Sequence, residues 1–426
     1  MRQWMVAAKK ADFYAIAEKF HVDPVVARII RNREVIGEKN IRIYLGGNLS
    51  DLSDPHQMKD MDRLVEILAQ KIRKQVRIRI IGDYDVDGVT SSHLFLTALR
   101  RVGAKVDVVI PHRIQDGYGL SLHLLQQAKE DGVDTILTCD NGIAAIDEIA
   151  WAKAQKMTVL VTDHHAVPFE EHEGRRTEKK SLADAVVNPH QQDCGYPYKE
   201  LCGAGVAWNV IRVLYENYDM DKREAEDLLD FVAMATVCDV MSLTGENRIL
   251  VKEGLKRIRH TKNIGLQALM QACNVQPENI SAYHFGYVLG PCVNATGRLD
   301  TARHALRLFE TGQETEAEEI ARDLVDLNQE RKELTLQGVE MAKKLCEEGG
   351  YENDPVLVLF LPDVHESIAG LIAGRIREMY NRPVFVLTRG EEGVKGSGRS
   401  TENYSMYENM CGCAELFTKF GGHPMA

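Results

Sequence analysis

The sequence predicts an α/β protein with two α/β lobes, joined by a long helix, and with a helical insert in the first lobe. From residue 76 onward, short β-branched runs alternate with helix-length segments, which is typical of βαβ units and a mainly parallel sheet. Residues 314–348 are rich in Glu, Lys, Arg and Leu and contain no proline, which indicates one long helix. A second α/β pattern follows Gly349 and Gly350 and predicts the second lobe.

The first lobe is preceded by a helical leader. Residues 1–75 carry polar and apolar residues at helical spacing, with a break at Gly46 and Gly47. The predicted strands of the lobe are Val76–Ile81, Val106–Ile110, Thr135–Thr138, Thr158–Thr162 and Ala185–Val187. The predicted helices between them are Val89–Arg101, Leu120–Glu130 and Ile143–Gln155.

Helical periodicity predicts helices for most of residues 203–348, and β-branched runs predict strands again in the last part of the chain. Residues 203–290 are mostly helical, with Glu224–Cys238 as the clearest helix. The long helix has near-heptad apolar positions, which are Leu324, Leu327, Leu334, Met341 and Leu345. The second lobe has strand Pro355–Leu361, helix Glu366–Tyr380, strand Pro383–Leu387 and a glycine-rich turn at Gly393–Gly398. The expected domains are 1–75, 76–310 with an insert at about 203–290, the connecting helix 311–348, and 349–426.

Composition excludes several functional classes. The 426 residues include 52 basic and 63 acidic side chains, so the net charge of -11 argues against a polycation that coats nucleic acid. Nine cysteines without a CxxC pair, and a first segment without the apolar core of a signal peptide, indicate a reduced, cytoplasmic protein. No apolar stretch is long enough to span a bilayer, so we expect no membrane association.

Acidic residues follow three of the predicted strands. Asp83, Asp85 and Asp87 follow the first strand, Asp140 follows the third, and the sequence Asp-His-His at 163–165 follows the fourth. Because ligands collect at the carboxyl ends of parallel strands, we expect these side chains to lie together. Taken singly, such an aspartate predicts a helix N-cap. The conjunction of three acidic strand ends instead predicts a cation site, since the carboxylates would otherwise repel one another.

Carboxylates with imidazole suit Mn²⁺, with Mg²⁺ as the second choice, and the absence of thiol pairs argues against structural zinc. Several bridging carboxylates favour two ions roughly 3.5–4 Å apart, the arrangement that activates water for in-line attack on phosphorus. An extended Asp-x-Asp-x-Asp segment sends its carboxylates to one side. We expect the rings of the adjacent residues His164 and His165 to diverge, so that one binds metal and the other reaches the substrate phosphate.

These motifs resemble those of the DHH phosphoesterase superfamily, named for the tripeptide that is Asp163, His164 and His165 here. The first motif is similar to DYDVDG at 83–88, the second to CDNG at 139–142, and the fourth to the Asp239 segment ATVCDV. Nearly the whole chain resembles the superfamily's bacterial single-strand-specific 5′→3′ DNA exonucleases, including CVNATGRLDTA at 292–302, GSGRS at 396–400 and GGH at 421–423. The two lobes then correspond to a DHH domain and a DHH-associated domain.

The resemblance implies a role for each matching residue. The implied metal ligands are Asp83, Asp85, Asp87, Asp140, His164 and Asp239. Asp163 is implied to orient its neighbour or to touch the metals, and His165 to contact the scissile phosphate. The residues implied to bind the substrate, including its 5′ phosphate, are Arg113, Arg298, Ser397, Arg399, Gly421, Gly422 and His423. For Arg399, a plain hairpin in the glycine-rich segment is the alternative interpretation.

The implied activity is hydrolysis of single-stranded DNA from its 5′ end by two-metal catalysis, releasing nucleoside 5′-monophosphates in DNA repair and recombination. A single-strand binding protein or a helicase is the implied protein partner, and we expect a monomer. One alternative is a DHH hydrolase of short oligoribonucleotides or cyclic dinucleotides, and another is a non-catalytic scaffold. Because the exonucleases continue past the GGH motif into an OB fold, we expect this chain to be a truncated catalytic core.

Overall fold

The computed structural model describes residues 9–113, 116–117, 119–172, 175–390, 393–418 and 420. The chain divides into two compact units. The first unit comprises Met1–Gly297 with Thr301–Arg322, and the second comprises Arg298–Asp300 with Asp323–Ala426. Gly421, Gly422 and His423, which the sequence analysis assigned to substrate binding, lie outside the described residues.

The first unit begins with the predicted helical leader. Its helices are α1 (Phe13–Phe20), α2 (Pro24–Asn32), α3 (Glu38–Gly46) and α4 (Met61–Arg73), with short 3₁₀ turns at Leu49–Asp51 and Pro55–Gln57. Aspartates start the first two helices, since Asp12 accepts a hydrogen bond from the amide of Ala15 and Asp23 from that of Val25. A small apolar cluster holds the leader together, and it contains Ile30, Val35, Ile41 and Tyr44.

The five predicted strands form one parallel sheet. They are β1 (Arg77–Ile81), β2 (Lys105–Val109), β3 (Thr135–Cys139), β4 (Thr158–Thr162) and β7 (Ala185–Val187), in the order β2-β1-β3-β4-β7. The sequence analysis missed an antiparallel pair, β5 (Phe169–His172) with β6 (Arg175–Glu178). In the parallel sheet Ile81 pairs with Thr138, and Cys139 with Thr162, so the acidic segments that follow β1, β3 and β4 leave the same edge.

The predicted helices of the first lobe are confirmed. They are α5 (Val86–Arg101), α6 (Leu122–Glu130) and α7 (Ile146–Ala154). One core packs α6 and α7 against the sheet, and its members include Leu125, Ile136, Ile149 and Val161. The sheet is therefore covered by its crossover helices, as parallel sheets usually are.

The middle of the chain is helical, as predicted. It contains α8 (Gly203–Asn217), α9 (Lys222–Glu226), α10 (Leu229–Cys238), α11 (Gly245–Ile258), α12 (Ile264–Ala272), α13 (Ala282–His284), a π-helical segment (Phe285–Leu289), α14 (Gly290–Leu299) and α15 (Ala302–Glu310). The single predicted helix Glu224–Cys238 is wrong, since two helices cover that segment. The first of them ends in a 3₁₀-type bond, from the amide of Leu228 to the carbonyl of Ala225 at 3.2 Å, and the indole of Trp208 donates to the same carbonyl at 2.7 Å.

The predicted long helix is α16 (Glu314–Gly349), which begins in the first unit and ends in the second. The predicted apolar register is wrong at Met341, whose side chain is 43% exposed. The neighbouring residues Val339, Ala342 and Cys346 are buried instead, in the core of the second unit. The register differs because a 3.6-residue period drifts away from a strict heptad along a straight helix.

The second unit has a mixed sheet. Its strands are β8 (Leu357–Phe360), β9 (Val384–Gly390) and β10 (Gly393–Arg399), in the order β10-β9-β8, and its helices are α17 (Ala369–Tyr380) and α18 (Met406–Cys411). The predicted turn at Gly393–Gly398 is wrong, because these residues form strand β10 and pair antiparallel with β9 from Gly393 to Arg399. Among the helices of the described residues, none is both long and apolar enough to cross a bilayer.

Candidate metal centre

The three aspartates after β1 occupy three different backbone environments. Asp83 lies two residues after the end of β1, Asp85 is the N-cap of α5, and Asp87 lies in the first turn of that helix. The carboxylate of Asp85 accepts a hydrogen bond from the amide of Gly88 at 3.0 Å. The expectation of an extended Asp-x-Asp-x-Asp segment is therefore wrong at Asp87, because the N-cap starts the helix between the second and third aspartate.

The carboxylate of Asp87 is fixed by the start of α8. Its two oxygens accept hydrogen bonds from the amides of Gly203, at 2.6 Å, and Ala204, at 2.8 Å. These amides have no partner within α8, so an anionic side chain is favoured there by both hydrogen bonding and the helix dipole. Sequence reasoning missed this contact. The one signal in the sequence was the Gly-Ala-Gly segment at the start of a predicted helix. The structure gives the reason for its first glycine, because a Cβ on Gly203 would lie 2.7 Å from the Cβ of Asp140.

Asp140 follows β3 with a left-handed backbone, at a φ of 61°. Such a conformation is uncommon outside glycine and occurs often at functional sites. Asn141 stabilises the turn, because its side-chain amide donates to the carbonyls of Ile81, at 3.0 Å, and Cys139, at 2.9 Å. The turn brings the Asp140 carboxylate to 3.1 Å from Nε2 of His164.

Asp163 organises the two histidines that follow it. Its Oδ1 accepts hydrogen bonds from the amides of His164, at 2.7 Å, and His165, at 3.1 Å, and from Nδ1 of His165, at 2.8 Å. Its Oδ2 accepts from the amide of Ile143 at 2.9 Å. The expectation of diverging rings is wrong, since the two imidazole centroids are only 4.4 Å apart. The reason is local, because the shared acceptor bends the chain and turns both rings to the same side.

Asp239 comes from the C-terminal end of α10. Its Oδ2 lies 3.6 Å from Nε2 of His164, and Oδ2 of Asp87 lies at the same distance from that nitrogen. The structure therefore brings together all six residues that the sequence analysis assigned to metal binding. Together with His165, they form three groups, and within each group the candidate ligand atoms lie within 4.8 Å of one another. The groups are Asp83, Asp85 and Asp140; Asp87, His164 and Asp239; and Asp140, His164 and His165.

Several features of this cluster fit bound cations. Oδ1 of Asp83 and Nε2 of His164 are buried and form no hydrogen bond with any described residue. Burial, together with neighbouring carboxylates, raises the pKa of Asp83, Asp85 and Asp140, and raises that of Asp239 to about 8. Buried carboxylates held this close are stable as anions only when a cation neutralises them, so the residues present suit divalent metal ions.

The pKa values of the two histidines are shifted in opposite directions. Burial lowers the pKa of His164, which keeps its imidazole neutral, the form that binds metals. Although burial opposes the shift, the hydrogen bond to Asp163 raises the pKa of His165 to about 9. Burial opposes a low pKa for Asp163, but its hydrogen bonds to His165 and to the amide of Ile143, together with the two nearby histidines, lower the pKa below its ordinary value. One ring therefore suits metal binding and the other suits contact with an anion.

The predicted phosphate ligands lie in two places. In the first unit, the guanidinium of Arg113 lies 4.9 Å from the ring centroid of Tyr84, beside the acidic segment. In the second unit, Arg298 donates to the carbonyl of Ser367 at 2.7 Å, just before α17. Ser397 and Arg399 reach the same helix start, since a Cβ on Gly370 would lie 2.7 Å from Oγ of Ser397 and 2.9 Å from Nη2 of Arg399.

We call Arg298, Ser397 and Arg399 the anion cluster of the second unit. Two guanidinium groups and a hydroxyl beside a helix start can bind a phosphate. The alternative interpretation, a plain hairpin around Arg399, is confirmed, since β10 pairs antiparallel with β9. The strand nevertheless places the side chains of Ser397 and Arg399 beside the start of α17.

Comparison with known proteins finds two family matches along the chain. Residues 77–236 match the DHH family, N-terminal domain, and residues 353–426 match the DHHA1 domain. The chain is 35% identical over 421 residues to the single-stranded-DNA-specific exonuclease RecJ of Haemophilus influenzae, covering 95% of this chain and 71% of that protein. It is 33% identical over 414 residues to RecJ of Bacillus subtilis, covering 97% of this chain but only 51% of that protein.

Solved structures show the same likeness. An exonuclease RecJ bound to manganese matches with a TM-score of 0.73 at 32% identity, over 86% of this chain and 89% of that one. RecJ from Thermus thermophilus in complex with Mg²⁺ matches with a TM-score of 0.74 at 28% identity, over 97% of this chain and 55% of that one. From the two domain matches and the identity across most of a relative's length, the chain belongs to the RecJ family of DHH/DHHA1 proteins.

Proposed function

We propose that this chain is a single-stranded-DNA-specific 5′→3′ exonuclease that hydrolyses phosphodiester bonds and releases nucleoside 5′-monophosphates. The observation that carries the proposal is the acidic cluster in which Asp140 and His164 each belong to two of the three ligand groups. Shared ligands suit two adjacent cations, the arrangement used by many phosphodiesterases. The relatives named RecJ supply the substrate, single-stranded DNA.

In this proposal the six ligands divide by proximity. Asp83 and Asp85 hold one ion with Asp140, and the other ion is held by His164 with Asp87 and Asp239. Two Mn²⁺ ions, or Mg²⁺ as the second choice, supply Lewis acidity and an activated water for in-line attack on phosphorus. The relatives' structures with manganese and with Mg²⁺ support this choice of ions.

His165 contributes charge to the reaction. Its raised pKa keeps the imidazole protonated at neutral pH, and Asp163 fixes the ring through Nδ1. The other ring nitrogen is then a donor to a phosphate oxygen, where negative charge develops during attack. Asp163 acts as a positioning residue in this scheme, since its four hydrogen bonds all go to the backbone or to His165.

Binding of the DNA backbone is assigned to basic residues in both units. Arg113 binds a phosphate beside the acidic segment, and the anion cluster of the second unit binds another, including that of the 5′ end. Gly421, Gly422 and His423 are assigned to substrate binding by the resemblance alone. We also propose the domain limits 1–75, 76–310, 311–348 and 349–426, and a setting in DNA repair and recombination.

The test uses a 5′-phosphorylated, 3′-labelled single-stranded DNA oligomer with this chain and Mn²⁺. A ladder of shortening 3′-labelled fragments is expected, and it should be absent for Asp140→Ala, because that change removes one of the two candidate ligands that belong to two groups. The control is Lys39→Ala, an exposed position in the leader. Cleavage of di- to tetranucleotides with an intact oligomer would favour the oligoribonuclease alternative. Absence of bound Mn²⁺ in a correctly folded chain would favour a scaffold.

A further inference from the structure

Two exposed tyrosines lie on the helical segment 282–299, and the metal centre uses neither of them. Tyr283 is 63% exposed and Tyr287 is 72% exposed. Their rings stack on each other, with centroids 5.1 Å apart and planes inclined by 24°. Because most of their surface is in solvent, the two rings leave aromatic faces open to a further flat ring. Proteins that bind single-stranded nucleic acid use such exposed aromatic faces to stack bases.

The helical geometry of this segment is unusual. Tyr287 belongs to the π-helical segment Phe285–Leu289, and Tyr283 belongs to α13 directly before it. Phe285 and Leu289, in the same segment, are fully buried. These buried side chains anchor the segment in the core, so the two tyrosines are held on its solvent side. Short π-helical turns are rare and occur frequently at functional sites.

The π-helical segment packs on the end of α10, next to a candidate metal ligand. Sγ of Cys238 donates a hydrogen bond to the carbonyl of Phe285 at 3.3 Å. A Cβ on Gly290 would lie 2.3 Å from the same sulfur, so the backbones approach closely there. Asp239 is the next residue along the chain and belongs to the metal centre. The tyrosines are therefore carried by a segment that directly contacts the residue before Asp239.

The same helical segment also reaches the first acidic motif. Oδ1 of Asn294, in α14, accepts a hydrogen bond from the amide of Val86 at 3.1 Å. Val86 lies between Asp85 and Asp87, two of the candidate metal ligands. Tyr287 precedes Asn294 by two turns of helix, which corresponds to roughly 10 Å. A strand whose phosphate lies at the metal centre can therefore have a base at the tyrosines.

The surface beside Asp239 is open to solvent. Val240 follows Asp239 directly, is 87% exposed and has a φ of 57°. A left-handed backbone is a genuine outlier for a β-branched residue, and such strained residues cluster at functional sites. The metal centre is thus accessible at the same end of α10 on which the tyrosine-bearing segment packs.

We propose that Tyr283 and Tyr287 bind bases of the substrate strand by stacking, and thereby favour single-stranded over double-stranded DNA. The inference rests on the proposed function, which makes a DNA strand the ligand at the metal centre. Stacking on an aromatic ring is tolerant of sequence, because every base has a flat π face. In a duplex the bases are paired and stacked on one another, so only a single strand can offer its bases to the two rings.

The test uses 5′-phosphorylated single-stranded oligomers with one abasic residue, placed at successive positions from the 5′ end, and measures the first cleavage step. For the wild-type chain we expect KM to rise at least about fivefold when the abasic residue occupies the position that meets the tyrosines, because one stacked base is lost. The double variant Tyr283→Ala with Tyr287→Ala should raise KM for the intact oligomer by a similar factor. It should also abolish the dependence of KM on the abasic position.

Two further variants separate stacking from structure. Tyr283→Phe with Tyr287→Phe keeps both rings and should behave like the wild-type chain. Tyr14→Ala removes an exposed tyrosine from the helical leader and should leave KM unchanged. All variants should retain the melting temperature, since the substituted rings are exposed. An unchanged KM in the double alanine variant, or a dependence on abasic position that persists in it, would overturn the proposal.

A binding measurement distinguishes this proposal from the proposed function. Fluorescence anisotropy with a labelled oligothymidylate in EDTA reports binding without metal ions, and the double alanine variant should bind at least about fivefold more weakly than the wild-type chain. A chain that shows this tyrosine-dependent binding but cleaves no DNA contradicts the proposed exonuclease alone. A chain that cleaves single-stranded DNA with the same KM whether or not it has the two rings contradicts the stacking proposal alone.

Discussion

The metal centre of the first unit and the anion cluster of the second unit are built in opposite ways. The metal centre gathers closely spaced carboxylates, from Asp83 to Asp239; most of them are buried, and backbone amides bind two of them. The anion cluster consists of half-buried side chains on a strand and beside a helix start, of which Arg298 and Arg399 donate to backbone carbonyls. The first is a rigid site that needs a cation to neutralise it, and the second is a site whose charges water can reach.

This comparison predicts that even a conservative substitution in the metal centre lowers the cleavage rate strongly. Asp163→Asn keeps the size of the side chain but removes the charge that raises the pKa of His165. We expect the cleavage rate to fall about 10³-fold, since a histidine that loses its anionic partner is less well oriented and less often protonated. The pH dependence of the rate should move to lower pH. An unchanged pH profile in Asp163→Asn would contradict a positioning role.

A matched pair of glycines tests how rigid the metal centre is. Gly203→Ala places a Cβ 2.7 Å from that of Asp140, whereas the nearest contact of a Cβ on Gly205, in the same helix, is 3.4 Å. We expect Gly203→Ala to weaken Mn²⁺ binding about 10- to 100-fold, the usual effect of disturbing the groups that orient ligands, and Gly205→Ala to bind nearly normally. Calorimetric titration with Mn²⁺ measures both. Equal affinities would mean that the site adapts.

The anion cluster should respond more mildly. Arg399→Ala is expected to raise the KM for a 5′-phosphorylated oligomer about tenfold with kcat little changed, because it removes one charge-assisted hydrogen bond to the substrate. A 5′-hydroxyl oligomer should be affected less. The control is Arg375→Ala on α17, whose side chain is 68% exposed. A fall in kcat without a change in KM would place Arg399 in the chemical step instead.

The smallest expected effect concerns stability and pH. The folded-state pKa of Asp239 is about 8, far above its ordinary value, so the folded chain retains a proton that the unfolded chain has lost. Without metal, the free energy of unfolding should therefore fall as the pH rises from 6 to 8. Saturating Mn²⁺ should reverse this trend, since metal binds the deprotonated carboxylates. Thermal melting with EDTA and with Mn²⁺ at both pH values measures the difference. Parallel pH profiles would contradict it.

The first sheet could be predicted because its signal is local. Short β-branched runs such as Thr158–Thr162 define each strand, and parallel pairing then brings the acidic segments to one edge. The contact between Asp87 and the start of α8 could not be predicted in this way, because the partners are 116 residues apart and the amides carry no side-chain signal.

Two predictions from the sequence were wrong for a similar reason, namely that hydrogen bonds to other residues determine the structure. The glycines of β10 have low strand propensity, and pairing with β9 decides their conformation. The arrangement of His164 and His165 depends on the acceptor that Asp163 offers to both backbone amides. In both cases the conformation depends on hydrogen bonds to another residue or strand, which the local sequence pattern does not specify.

Because two backbone amides at the start of α8 bind the carboxylate of Asp87, this helix end should be sensitive to metal binding. The amide hydrogens of Gly203 and Ala204 are bonded to a carboxylate of the metal centre rather than to water. We therefore expect their hydrogen-exchange rates and amide chemical shifts to change when a cation binds at the metal centre, although both residues lie on a helix remote in sequence. Occupancy of the centre can be observed there in the absence of any substrate.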